Sequence, residues 1–361
     1  MRSRLVWLVI ALFGISGVAE AGSSWQEEWE RVLKGAKQEG KVAVSGPEGN
    51  ETMTVLTQPF QKKYGIRVEF HGATGRELSP RILTERRAGH YLWDVYVHGT
   101  TTALAAMIPA EAFDPLEPAL ILPEVKESKY WRGGGLEFIE PGRRLAVMTP
   151  AQRATLFVNT KLVDAKVLRS YKDLLDPKWK GKIVMDDPRR SGPGQATFTF
   201  FYLHPELGPD YIRALARQEP LMLRDYAQEI DALGQGKYHI LIGTWEVPVE
   251  ARIRQGVPVA IVSPQQLREG SDLSPVNGNT ALYNRAPHPN AARLYLNWLL
   301  SKEGQTEFSR ALGYISSRLD VSSDHSPWRV PLKGSIKTYT PEAMELKDKF
   351  VVPLLREVFG R

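Results

Sequence analysis

The residues from Asp186 to Gly194 could do chemistry, and the chemistry would be anion binding. Lys182-Ile183-Val184-Met185 ahead of them is a short apolar run rich in β-branched residues, which predicts a buried strand. Gln195-Ala196-Thr197-Phe198 behind them predicts the start of a helix. A strand that opens through a Ser/Gly turn (Ser191-Gly192) into a helix presents free backbone N–H groups and the positive end of a helix dipole. That combination favours a bound anion. The same residues also fit an ordinary βα loop, and the local pattern leaves both readings open.

Catalytic constellations are hard to find. No two of the seven His have the i, i+4 spacing of a helical metal pair, and the chain has no Cys. HExxH, GxSxG, SxxK and GxxxxGK[ST] are all absent. Gly192-Pro193-Gly194-Gln195-Ala196-Thr197 lacks the third Gly of a dinucleotide turn. Asp186-Asp187 reads more readily as capping or solvated carboxylates than as an acid–base pair. These absences shift weight from an enzyme toward a binding protein, with no cofactor and no metal site expected.

The elements that would position the turn alternate. A helix is predicted over Ser24–Gln38, with Trp25, Trp29, Val32, Leu33 and Ala36 on one face and Gly40 as its stop. Strands follow at Lys41–Ser45, Ile66–Phe70 and Trp93–Val97, separated by helices over about Asn50–Lys63 and Gly75–Ala88. Further strands are read at Leu156–Val158, Tyr238–Ile242, Val257–Val262 and Ala281–Tyr283. Helices close the chain over Asn290–Leu300, Ser301–Leu312 and Thr340–Phe359. Strands alternating with helices at this spacing imply a mostly parallel α/β sheet.

Met1-Arg2-Ser3-Arg4, the apolar stretch Leu5–Val18 and Ala19-Glu20-Ala21 together have the pattern of a secretory signal peptide cleaved after Ala21. Removing 21 of 361 residues leaves 340, enough for two lobes. A chain of that size outside the cytoplasm needs no disulfides, because its core is large. The net charge of +6 favours anionic ligands or a merely basic exterior. No Lys/Arg tract interleaved with aromatics argues for nucleic acid.

Two longer stretches carry a family resemblance. Tyr283–Arg318 (YNRAPHPNAARLYLNWLLSKEGQTEFSRALGYISSR) and Ser170–Pro188 (SYKDLLDPKWKGKIVMDDP) resemble segments of the bacterial extracellular solute-binding proteins of the ferric-iron and polyamine type. Phe60–Val68 and Phe157–Lys161 resemble the same family. These proteins serve ABC importers. The resemblance implies a type II periplasmic-binding-protein fold: two α/β lobes joined by two crossing strands, with the ligand in the cleft between them. It places the crossings near Arg153–Asn159 and Ala260–Gln265. Residues 22–153 and 265–315 would form the first lobe, and 154–264 with 316–361 the second. The partners it implies are a small-molecule or ionic solute and an inner-membrane permease, the protein itself being a periplasmic monomer.

The resemblance also puts the loops at strand ends into the cleft, so the expected ligand-binding residues are Ser45, Glu48, Thr100, Thr101, Arg190, Ser191, Gly192, Trp245, Glu246 and Asn279. Ser191 and Gly192 match the family's anion turn, and Arg190 could add a bidentate contact or face solvent. Where iron-binding members carry a Tyr-Tyr pair, this chain has Trp245-Glu246, so Fe(III) would lose its phenolate donors. An indole face and a carboxylate suit an amine instead. A zwitterionic or phosphorylated organic solute would satisfy both loops. The competing expectations are a ferric-iron protein with a synergistic anion, a sensor subunit for the same solute, and a secreted hydrolase or transferase.

Overall fold

A computed structural model describes residues 23–322 and 327–360. The expected signal peptide, residues 1–21, lies outside the described residues. In chain order the strands are β1 (Lys41–Gly46), β2 (Arg67–Gly72), β3 (Val95–His98), β4 (Phe113–Asp114), β5 (Ala146–Val147), β6 (Ala151–Gln152) and β7 (Leu156–Asn159). They continue with β8 (Ile183–Asp186), β9 (Leu221–Leu223), β10 (Ile240–Ile242), β11 (Val259–Ile261), β12 (Leu273–Ser274) and β13 (Asn279–Tyr283).

Two sheets result. The first runs β2-β1-β3-β13-β4, with β5 also on β13. β1, β2 and β3 are parallel, and β13 lies antiparallel to β3 with Asn279 opposite His98. The second runs β11-β7-β10-β8-β9. Here β8, β9 and β10 are parallel and β7 is antiparallel to both β10 and β11. The central strands are buried on both faces, which is why they read as continuous apolar runs rather than alternating ones. The opening helix, Ser23–Glu39, buries Val32 and Ala36 against the first sheet, and Gly40 ends it in the left-handed region at φ 71°. In the second sheet's core the helix Pro193–Leu203 contributes Phe198, Phe200 and Phe201, all fully buried.

The sheets are joined where β6 and β12 pair antiparallel, Gln152 opposite Leu273 and Ala151 opposite Ser274. The return crossing therefore lies later than the sequence places it. Val259–Ile261 is a strand of the second sheet, and Leu267 packs in that sheet's core. Glu269 is tied there as well, its carboxylate accepting from the Ser170 hydroxyl at 2.5 Å and the Tyr171 N–H at 3.2 Å.

The C-terminal segment also departs from expectation. It does not simply pack on the second lobe but passes between the lobes repeatedly. Arg318 bridges to Trp131 of the first lobe, and Trp328 enters the second lobe's core. Lys337 then pairs with Leu273 at the hinge, and Leu273 N–H donates to Ile336 O at 2.9 Å. Tyr339 packs into the first lobe's core, whereas Val351, Leu354 and Leu355 pack into the second's. Burial of aromatic and aliphatic side chains on alternate sides fixes this strap across the hinge.

Candidate functional site

Between the lobes lies a cleft of about 450 Å³. Its first wall comes from the turns after β1, β2 and β3. These carry Glu48, then Thr74-Gly75, then Gly99–Thr102. Thr74 caps the helix Gly75–Arg87 in a reciprocal box, its hydroxyl oxygen accepting from Glu77 N–H at 3.3 Å while Glu77 accepts from Thr74 N–H at 3.0 Å. Thr100, Thr101 and Thr102 open a short helix directly beyond β3. Behind them, Asn279 Nδ2 donates to His98 O and Thr100 Oγ1, both at 3.0 Å. Burial holds the His98 imidazole down at about 4, so it is neutral at ordinary pH.

The second wall centres on Ser191, Gly192 and Pro193, at the start of the helix Pro193–Leu203. The chain's own Asp186 partly fills this helix start, its carboxylate accepting from Gly194 N–H at 2.8 Å. Gly194 must be glycine, since a Cβ there would sit 2.6 Å from Asp186 O. Tyr226 and Trp245 stand edge to face beside the turn, with ring centroids 6.3 Å apart. Beneath them Glu229 is fully buried and accepts from Thr244 Oγ1 at 2.5 Å. Burial raises both carboxyls above their usual range, with the Asp187 charge adding to it at Asp186 and the Asp186 charge at Glu229. Asp187 behaves oppositely. Burial pulls it up, but Arg189 at 2.7 Å and Arg224 at 3.1 Å hold it down at about 2.

The floor is the hinge. Arg153 follows β6 and lines the cleft. Its Nε donates to Glu246 Oε1 at 2.9 Å and its Nη2 to Oε2 at 2.7 Å. Burial works against the guanidinium charge, but Glu246 and Asp272 more than offset that and keep it protonated. The strap adds Thr338, Tyr339, Met344 and Lys347 to the lining.

Of the residues expected from sequence, Glu48, Thr100, Thr101, Ser191, Gly192 and Trp245 line this cleft. Arg190 is exposed and lines the adjoining opening with Thr101, Thr102 and Ser191. Three others stand elsewhere. Ser45 is fully buried and shares a 3.0 Å hydrogen bond with the Tyr283 hydroxyl. Asn279 is buried behind Thr100, as described above. Glu246 is fully buried and committed to Arg153, so it does not offer the cleft a free carboxylate for an amine. Sequence reading missed Arg153, Tyr226, Tyr339 and Lys347. No local pattern marks them, because long-range folding brings them in. It also missed Thr74, although Thr74-x-x-Glu77 is a capping-box signature. Among the described residues no group of three or more His, Cys, Asp or Glu side chains is arranged to hold a metal ion.

Two lobes of matching topology around a cleft define a type II periplasmic binding protein. Residues 56–332 match the model of the bacterial extracellular solute-binding proteins, and the chain belongs to that family. An uncharacterized protein of Haemophilus influenzae is 25% identical over 292 residues, which are 76% of this chain and 77% of that one. Among solved structures, the periplasmic binding protein AfuA of Actinobacillus pleuropneumoniae, with fructose-6-phosphate bound, aligns with TM-score 0.63 and 17% identity, covering 88% of this chain and 99% of that one. FutA of Trichodesmium, in complex with iron and citrate, aligns with TM-score 0.66 and 19% identity over 89% and 100%. The family consists of solute-binding components of ABC importers, binding proteins rather than enzymes. No helix of the described residues is long and apolar enough to cross a membrane.

Proposed function

We propose that this solute-binding protein captures a small organic anion of the phosphate-ester class. The lobes close on it, and the loaded monomer delivers it to an inner-membrane permease. Met1–Ala21 would be removed on export. The observation that carries the reading is the pairing of walls. Thr100, Thr101 and Thr102 on one lobe face Ser191 and Gly192 on the other, while Glu246 is turned away and bound to Arg153. Hydroxyls and backbone N–H groups suit phosphate oxygens, and the rings of Tyr226 and Trp245 suit the organic body. The amine half of the earlier expectation loses its carboxylate. A ferric site finds no phenolate pair after β10, where Thr244, Trp245 and Glu246 stand. The fructose-6-phosphate carried by AfuA has the required chemistry.

Calorimetric titration of the protein, unfolded and refolded free of cargo, tests this. Fructose 6-phosphate is expected to bind and fructose is not. Tight binding of ferric citrate with none of the ester would overturn the reading.

A further inference from the structure

The strap over Thr338–Lys347 lies beyond the residues matched by the family model, which end at 332, yet four of its side chains line the cleft. Its place is set from both sides. Lys337 pairs with Leu273 at the hinge, Tyr339 packs in the first lobe's core, and Val351, Leu354 and Leu355 pack in the second's. Tyr339 is held further by Glu137, whose Oε1 accepts from its hydroxyl at 3.0 Å and from Lys337 Nζ at 2.5 Å. Between these anchors a cap at Thr340 starts the helix Pro341–Leu346. Lys347 then begins a turn of π-helix, a local widening common at functional sites.

The lysine's surroundings are unusual for a surface cation. Its side chain is only 12% exposed. Among the described residues the carboxylate in ion-pair range is that of Asp348, at 3.3 Å and itself 70% exposed, and Met344 Sδ lies 3.6 Å from Nζ. Arg153, the other cation of the cleft lining, is held in a bidentate pair by the fully buried Glu246. Arg190 stands exposed at the adjoining opening. An anionic solute entering the cleft past the exposed Glu48 therefore meets one cation, Arg153, held by a buried carboxylate, and one, Lys347, whose partner Asp348 is itself largely solvated.

We infer that the C-terminal strap is a third wall of the solute site and that Lys347 supplies the counter-charge to the solute's anionic group. The inference rests on the reading of the solute as an organic anion.

The test compares the full chain with Lys347→Gln, Lys347→Arg and, as a control on the exposed strap, Lys333→Gln. Fructose 6-phosphate is titrated at low and high NaCl, and each variant's thermal midpoint is recorded without ligand. Lys347→Gln is expected to weaken binding about tenfold or more at low salt. Its salt dependence should be shallower than the parent's, because one screened charge is gone. Lys347→Arg should retain most of the affinity, and Lys333→Gln all of it. Lys347→Gln within about twofold of the parent would overturn the inference, as would an equal loss in Gln and Arg variants. If the parent itself fails to bind the ester, the reading of the solute fails and this inference falls with it. The parent's own titration separates that case from a failure of Lys347 alone.

Discussion

The two lobes share one topology and have opposite chemistries. Each sheet is three parallel strands, then one antiparallel strand supplied by the chain as it leaves or returns across the hinge, then an edge strand. Each sheet delivers turns to the cleft. On the first lobe those turns hold little buried charge: the exposed Glu48, three threonines, a capped helix start, and a buried His98 kept uncharged. On the second they are backed by charge: Asp186 on Gly194 N–H, Glu229 beneath Thr244, Asp187 between Arg189 and Arg224, and Arg153 on Glu246 at the hinge. The fold sets where the turns stand. It does not set how their charge is balanced, and the second lobe neutralises its carboxylates internally.

The sharpest way to break that balance is Glu246→Ala. It leaves the Arg153 guanidinium, nearly buried, facing the cleft without its bidentate partner. Removing one member of such a pair costs about 3–5 kcal/mol, read as a lowered urea midpoint. Thr101→Val on the exposed first wall should cost less than about 0.5 kcal/mol. Equal costs would mean that the two walls are not energetically distinct.

Next in size is Gly194→Ala. The new methyl meets Asp186 O at 2.6 Å and Oδ2 at 2.8 Å, neither of which can retreat without losing the strand end or the Gly194 hydrogen bond. Overpacking of this kind costs about 1–3 kcal/mol. Gly192→Ala should be mild by comparison, since its methyl would meet Asp186 Oδ2 and the Tyr226 hydroxyl at 3.4 and 3.5 Å, ordinary contact distances. Urea unfolding of the two variants orders them directly.

Two buried sites, one in each lobe, should also respond to pH with opposite signs. The folded second lobe holds a proton on the Asp186–Glu229 pair that the unfolded chain releases. That contribution is full below the ordinary carboxylate range and is lost as pH rises toward about 8. His98 works the other way. Its folded value is depressed, so its contribution is full above the ordinary histidine value of 6.5 and is lost as pH falls toward about 4. Glu229→Gln should flatten the alkaline side of the stability profile and His98→Gln the acid side, each by on the order of 1 kcal/mol. A single profile shape for parent and both variants would remove the distinction.

Legibility in the sequence divides along a physical line. The turn at Ser191-Gly192 was readable because a buried strand, a Gly/Pro/Ser loop and a helix start are all local signals, and so was the α/β alternation. Ser45 misled for the same reason. It ends a strand as a ligand residue would, and only the packing of Tyr283, far along the chain, shows that its hydroxyl is spoken for. Glu246 and Arg153 lie 93 positions apart, so nothing local announces their pair. The strap's course depends on where Trp328 and Tyr339 find apolar surface, which is a property of two finished cores and not of residues 316–361. The late return crossing is similar, since Leu267 belongs to the second lobe by packing alone.

The smallest effect expected is at Arg190, and it asks whether the second wall's charge extends beyond what is buried. Arg190 is exposed and lines the opening beside the cleft together with Ser191 and Thr102. A solvated guanidinium there adds little to stability, typically within about 0.5 kcal/mol. Its influence should fall on encounter. Arg190→Gln is expected to slow the association of an anionic solute several-fold at low salt and to leave dissociation nearly unchanged, with the difference fading as salt screens the opening. Stopped-flow association rates at two ionic strengths measure this. A change confined to dissociation would instead put Arg190 in contact with the bound solute. It would then belong to the second wall proper, and that wall's charge would extend beyond its buried pairs.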